Sequence, residues 1–240
     1  MINHYHFETI DSTSSYIKKN YKDLDDFTFV SATHQTNGHG RYNRTWHSKK
    51  GENLLFSLLI KDKQTITKYS SISLSIAVMI FNILKSLNID NVSIKWPNDV
   101  YVKDKKICGI LLESISYNNE IEALVIGIGI NVNASTFDES IIDTATSIFL
   151  ETKDLIDINV LKEKIFTQTI ETIKNIEFDT NYLKTARDNN YLKNKSVFAT
   201  INNEAVLVKV IDINEDNSLK VIANNKELNL YSGELTFNKK

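Results

Sequence analysis

The chain has 240 residues, 42% hydrophobic and 24% charged, which suffices for one sizeable core with a small appended unit but not for three domains. A formal net charge of -2 and a pI near 6.2 argue against a dedicated nucleic-acid binder, which carries a basic excess. Cys108 is the single cysteine, so no intrachain disulfide forms and a reducing cytoplasm is the natural setting; the opening MINHYHFETID lacks the basic and apolar regions of a secretory signal.

Tyr5, Phe7 and Thr9 alternate with polar residues as a short strand does, and Asp11, Ser12 and Thr13 then offer caps for a helix through Tyr16, Ile17 and Tyr21. Hydroxyls at a helix N-terminus either cap it or face a carboxylate. Residues 27–33 read as a strand. Residues 34–50, HQTNGHGRYNRTWHSKK, lose all periodicity and are rich in cations and aromatics. Gly38 and Gly40 followed by Arg41 and Arg44 make either an anion-wrapping loop or a merely solvated one. Asn43 stands where a dinucleotide fingerprint needs its third glycine, and no P-loop lysine pair follows. Residues 53–60 are a second strand. Residues 66–87 predict a helix with Ile72, Ile76, Met79, Ile80, Ile83 and Leu87 on one face, and serines with an asparagine leave its uncharged run short of a membrane span.

Residues 95–113, KWPNDVYVKDKKICGILLE, contain the only proline. Pro97 pushes Trp96 towards an extended conformation, so Lys95 and Trp96 should end a strand and Asn98 with Asp99 should turn the chain. Residues 100–102 then alternate as a strand, Asp104 and Lys105 predict a tight turn, and residues 107–112 return as a strand interrupted at Gly109. A glycine among bulky strand residues marks the close approach of another segment or of a ligand. After a turn at 117–119, residues 121–130 form a buried strand ending in GIGINVN. Gly127 and Gly129 share one face of it, for a packing reason or to clear space.

Residues 158–176 predict an amphipathic helix with Val160, Leu161, Ile165, Ile170 and Ile173 near one face, and residues 180–190 a shorter one. Beyond residue 190 come short strands at 197–201, 206–213, 219–223, 227–230 and 234–237. Turns at 202–203, 214–217, 224–225 and 232–233 separate them at the spacing of a small all-β barrel. The five histidines have no cysteine or acidic cluster at metal-ligand spacing, no G-x-S-x-G elbow exists, and Cys108 lies mid-strand among apolar residues. What is left is positioning and electrostatics directed at an anionic ligand.

Four stretches, GHGRYNRTW at 38–46, KWPND at 95–99, KICGILLE at 106–113 and GIGINV at 127–132, together resemble the biotin–protein ligases in order and spacing. KWPND followed by K-x-x-G-I-L is the specific part. Two positions depart: Ser14 stands where the family carries asparagine, and His39 where its loop begins with arginine, which would loosen the loop's hold or add pH dependence. With no winged helix-turn-helix ahead of the first catalytic strand, the chain resembles the ligase-only class.

The resemblance implies an α+β fold like that of the class II aminoacyl-tRNA synthetases and biotin ligases. A mixed, mainly antiparallel sheet flanked by helices would occupy residues 1–190, and an SH3-like barrel residues 191–240. It implies ATP-dependent formation of biotinyl-5′-AMP and transfer to a lysine of a biotin carboxyl carrier protein, in the cytoplasm. Magnesium would ride on the ATP phosphates with no protein-only site. It also implies no DNA or membrane partner and leaves a homodimer open. Lys106, Arg41 and Asp99 would be catalytic, Asp99 being either a base for the incoming lysine or a turn cap. Ser12, Thr13, Gln35, Gly38, Arg41, Lys106, Gly109, Gly127 and Gly129 would hold biotin. Arg41, Arg44, Trp46, Lys106 and Asn131 would hold ATP and the adenylate, with Trp46 over the adenine and Asn131 either reaching the phosphates or ending its strand. A lipoate–protein ligase and a non-enzymatic biotin sensor are the alternatives.

Overall fold

The computed structural model describes residues 3–176, 181–201, 204–233 and 235–237. Thr180, the Asn202-Asn203 turn and Glu234 lie outside them. The chain begins with β1 (His4–Phe7), α1 (Thr13–Asn20) and β2 (Phe29–Ala32), then β3 (Asn53–Ile60), α2 (Lys63–Ile66), α3 (Tyr69–Ser86), β4 (Val92–Lys95), β5 (Asp99–Val102), β6 (Lys105–Tyr117) and β7 (Glu120–Asn131). These strands form one sheet in the order β1-β2-β3-β7-β6-β5-β4, antiparallel throughout except for the β1–β2 pair.

β3 is buried along its whole length because it is covered on both sides. Its even positions, Leu54, Phe56, Leu58 and Ile60, join the main core with Phe29 and the inner face of α3, whereas Leu59 on the opposite face packs under Ile17 of α1. By length and composition α3 could cross a membrane, but it packs as the central helix of this core, burying Ile72, Ile76 and Ile80 for about 2 kcal/mol each. The predicted 66–87 helix is in fact two, broken at Thr67 and Lys68.

Turn chemistry sets the sheet's register. Asn118 and Asn119, at φ 49° and 64°, close the β6–β7 hairpin in the left-handed region that asparagine tolerates. The turn expected at Asp104 and Lys105 lies one residue earlier: Lys103 takes φ 55° and Lys105 already pairs in β6. Asp99 likewise is not in a turn but is the first residue of β5, opposite Lys95.

The chain continues through α4 (Ile148–Thr152), α5 (Ile158–Lys174) and α6 (Asn181–Asp188). Residues 132–157 had given no readable pattern in the sequence, and α4 with its Ser147 cap lies among them. On α5, Leu161, Ile165 and Ile173 are buried as expected, but Val160 is 68% exposed and does not belong to the packed face. Then β8 (Ser196–Ile201), β9 (Glu204–Ile213), β10 (Leu219–Ala223), β11 (Lys226–Leu230) and β12 (Leu235–Thr236) make a second, antiparallel sheet in the order β11-β10-β9-β8-β12. Its buried Val197, Val208, Val210 and Val221 belong to the same core cluster as α3 and the first sheet, together with Ala186 and Leu192. Asn217 joins the two sheets: its carbonyl accepts from Trp96 Nε1 at 2.8 Å, its Oδ1 from the Tyr182 hydroxyl at 2.9 Å, and its Nδ2 donates to Ser71 Oγ at 3.0 Å.

Candidate functional site

On the face of the sheet that carries α1, the strands beyond the helix N-terminus carry three glycines and a serine among their side chains. Ser57 of β3 lies opposite Gly127 of β7, Leu55 opposite Gly129, and Gly129 in turn opposite Gly109 of β6. The depression they leave is a cavity of about 410 Å³, walled by the 34–50 loop on one side and the β4–β5–β6 hairpins on the other.

Lys106 reaches this face through an irregularity. Tyr101 pairs with Lys106 but Val100 pairs with Cys108, so Ile107 is an extra residue in β6. The bulge shifts the alternation and puts Lys106 on the same side as Gly109, three residues on. Lys106 folds over Gly109, where an added Cβ would stand 2.9 Å from its Cε and Nζ, and its ammonium meets Asp99 at 2.8 Å. The other face keeps Cys108 wholly buried, and burial pushes its thiol pKa up, as suits an inert core residue.

The 34–50 loop folds back on itself: His39 bridges Thr45, and Trp46 N–H donates to the Gly38 carbonyl at 2.9 Å. Arg41 is held at the cavity by three acceptors, Asn98 Oδ1 at 3.0 Å, the Gly233 carbonyl at 3.2 Å and the Tyr42 hydroxyl at 3.3 Å. Arg44 also lines the cavity. The indole of Trp46 lies on the two-glycine floor, so close that a Cβ on Gly129 would be 2.5 Å from its Cε2 and one on Gly109 3.0 Å from its Cζ3. The space expected above Gly109 and Gly129 is therefore filled by Trp46 rather than open. His39 Nε2 stands 3.9 Å from Glu113, which also pairs with Lys18 at 3.0 Å.

The inner end is lined by hydroxyls. Ser12 caps α1 by accepting from Ser15 N–H, while Thr13, Ser14, Ser57 and Gln35 are joined by hydrogen bonds along one wall. Gly38 is buried against Gln35 and the Trp46 carbonyl. Asn131 donates from Nδ2 to the Thr146 carbonyl at 2.9 Å, and among the described residues its buried Oδ1 accepts nothing. That leaves an acceptor, suited to an amine or hydroxyl and not to phosphate oxygen, which is itself an acceptor.

Two residues that sequence reasoning missed complete the site. Asn98 is nearly buried, donates to the Ile110 carbonyl at 2.7 Å and accepts from Arg41, so it couples the proline turn to the loop. Lys95, opposite Asp99, is half-buried with its Nζ 3.3 Å from the Tyr101 hydroxyl. Burial depresses its pKa, Asp99 partly restores it, and Lys106 and Arg44 depress it further. Four cations, Lys95, Lys106, Arg41 and Arg44, thus face one cavity in which Asp99 is the one carboxylate among the described residues. Such a site attracts a polyanion, and its carboxylate can take a proton.

A model of the biotin/lipoate A/B protein ligase family matches residues 6–131. The bifunctional ligase/repressor BirA of Salmonella typhimurium is 33% identical over 156 residues, covering 65% of this chain and 49% of the relative. The biotin–[acetyl-CoA-carboxylase] ligase of Paracoccus denitrificans is 31% identical over 124 residues, or 51% of each chain. The chain spans about half the length of these curated relatives. Among solved structures, the biotin protein ligase from Aquifex aeolicus in complex with biotin and ATP superposes with a TM-score of 0.82 at 24% identity, covering 100% of both chains. The biotin acetyl coenzyme A carboxylase synthetase from Helicobacter pylori gives 0.61 at 22% identity, covering 95% of this chain and 100% of that one. At these identities the likeness speaks for the fold: an α+β architecture with a mixed, mainly antiparallel sheet flanked by helices.

Proposed function

The chain belongs to the biotin/lipoate A/B protein ligase family, and on that premise we propose that it is a biotin–protein ligase that forms biotinyl-5′-AMP and passes the biotinyl group to a carrier-protein lysine. The observation that carries this reading is the pairing of Lys106 with Asp99 at 2.8 Å inside a cavity that Arg41, Arg44 and Lys95 also line. In the first step a biotin carboxylate oxygen attacks the α-phosphorus of ATP and pyrophosphate leaves. Two anions must approach, and Lys106 with Arg41 and Arg44 screens them and stabilises the charge that builds on the phosphoryl oxygens. Trp46 covers the adenine, and Asn131 Oδ1 accepts from the base amine or a ribose hydroxyl. Gly109 and Gly129 seat the Trp46 ring and Gly127 the Ser14 hydroxyl, Gly38 lets the loop close on Gln35, and Ser12, Thr13 and Gln35 lie at the head group. Magnesium enters with the phosphates it neutralises.

In the second step the carrier lysine amine attacks the acyl carbon, AMP departs, and the proton released by the amine passes to Asp99. Asp99 opens a strand and its carboxylate faces Lys106, which supports this role over that of a turn cap. We read residues 1–190 as the catalytic unit and 191–240 as an SH3-like barrel, on the strength of the five antiparallel strands there. The partner is the biotin carboxyl carrier protein of a carboxylase, and the setting is cytoplasmic.

The test is to incubate the protein with biotin, ATP, magnesium and a carrier domain and read the carrier's mass. One added biotinyl group is expected, with Lys106→Ala slower by about 10²-fold in pyrophosphate exchange at unchanged melting temperature. An unmodified carrier, or a Lys106→Ala variant with normal exchange, would refute the assignment.

A further inference from the structure

Lys95 stands among like charges. The Asp99 carboxylate is engaged by Lys106 at 2.8 Å, and Lys106 and Arg44 both repel the Lys95 ammonium, yet Lys95 lines the cavity instead of swinging out into solvent. What keeps it there is a phenol. Lys95 Nζ donates to the Tyr101 hydroxyl at 3.3 Å and lies 5.1 Å from the centre of that ring. Burial holds the Tyr101 hydroxyl protonated well above the ordinary tyrosine range, so the partner is a neutral dipole and not a counter-ion. A neutral acceptor loses its hold as soon as it turns away, so the setting of the Tyr101 ring decides where the ammonium sits.

That ring is set from outside the first sheet. It stacks on Tyr191, with 4.9 Å between centres and 25° between planes. Tyr191 follows α6 and opens the link to the C-terminal strands, and it is fastened by several segments at once. Its N–H donates to the Ile94 carbonyl of β4 at 2.9 Å, and its hydroxyl donates to Asp104 Oδ1, between β5 and β6, at 2.9 Å. The Lys195 ammonium lies 3.6 Å from its ring centre, and Phe237 meets it edge-on at 6.0 Å. Burial and the Asp104 bond push its hydroxyl pKa up to about 12, so this ring too stays neutral near pH 7. The order is continuous. Asp104, Lys195 and Phe237 fix Tyr191, Tyr191 fixes the Tyr101 ring, and Tyr101 holds Lys95 opposite Asp99.

We infer that Tyr191 is a positioning residue for adenylate formation, placing the Lys95 ammonium in the cavity through Tyr101 and so making the start of the C-terminal unit part of the catalytic apparatus. The inference rests on the acyl-adenylate reading above and adds a fourth cation to it: the charge of Lys95 joins those of Lys106, Arg41 and Arg44 where carboxylate and triphosphate meet. Tyr191 touches no substrate. Its loss frees the Tyr101 ring to tilt, and Lys95 follows its repulsion out to solvent. The chemical step then slows, while biotin, held at the inner end of the cavity, binds as before.

The experiment measures pyrophosphate exchange and melting temperature for wild type, Lys95→Met, Tyr191→Leu, Tyr191→Phe and the double variant that joins Lys95→Met to Tyr191→Leu. Tyr191→Leu should lower kcat about tenfold with the KM for biotin unchanged. Tyr191→Phe keeps the ring and its stack, and should return kcat to within about twofold of wild type. The double variant should be no slower than Lys95→Met alone, since a residue that acts only through Lys95 has nothing left to act on. A stack with a merely structural role would slow exchange by the same factor in both backgrounds, and that result overturns the inference, as does normal exchange in Tyr191→Leu. Tyr101→Phe keeps the stack and removes the hydroxyl; it should reproduce the tenfold loss, and it decides the matter should Tyr191→Leu fail to fold. Full activity in Tyr101→Phe overturns the inference while leaving the ligase reading intact. Wild type without exchange overturns both.

Discussion

At the scale of single residues, the cavity concentrates like charge, and Lys95 carries the cost. Its ammonium is half-buried beside Lys106 and Arg44, and desolvation outweighs the attraction of Asp99, so its pKa in the folded protein falls below the 10.5 of an exposed lysine. Below that depressed pKa both folded and unfolded chains hold the proton and the penalty is full. Between it and 10.5 the unfolded chain holds more protons than the folded one, so Lys95's contribution to stability improves as pH rises. Lys95→Met removes the penalty while keeping the apolar stem. It should therefore melt above wild type at pH 7, with the difference shrinking steadily as pH approaches 10.5. Parallel melting curves across that range would mean that Lys95 is solvated and charged throughout.

At the scale of elements, the site is an intersection of three segments, and they were unequally legible. The 95–113 stretch announced itself through Pro97, its alternation and the misplaced Gly109, and the structure brings its Lys106 and Asp99 to the same cavity as Arg41 and Arg44. The step that puts Lys106 on Gly109's face, the bulge at Ile107, was not readable, because a one-residue insertion in a strand leaves no compositional trace. Asn98 was hidden for a similar reason: its side chain bonds to partners 12 and 57 positions away, Ile110 and Arg41, and short-range pattern does not carry such pairs. The glycines were seen as a set but only the structure tells them apart, Gly127 giving room to Ser14 and Gly109 with Gly129 to the Trp46 ring. This division makes a separable prediction. Gly129→Ala would bring a methyl within 2.5 Å of the indole and must displace it, shifting tryptophan emission and weakening ATP binding about fivefold, the scale of a lost ring contact. Trp96, the other tryptophan, is 3% exposed and bonded to Asn217, so it should not contribute to the change. An emission spectrum identical to wild type would show that Trp46 does not rest on that floor.

At the scale of the molecule, the composition shift near residue 190 was visible in the sequence as a change from helical to strand periodicity, whereas the tightness of the join was not. Asn190 pairs with Ile94 of the edge strand β4, and the Gly233 carbonyl holds Arg41 of the loop, so the C-terminal strands support the cavity from behind. Asn217 links the C-terminal strands to the rest, at φ 67° with three partners on three different segments. Asn217→Gly keeps the left-handed backbone and the carbonyl that accepts from Trp96, and removes only the side chain. The Tyr182 hydroxyl and Ser71 then lose their partner in a buried setting, a cost of about 2 kcal/mol, or about 4–8 °C in melting temperature for a chain of this size. Because the apolar core runs without interruption from α3 into β9 and β10, the variant should still unfold in one transition monitored by calorimetry. Two resolved transitions would show instead that the C-terminal strands melt as a separate unit, with the Arg41 contact at Gly233 as the first functional loss.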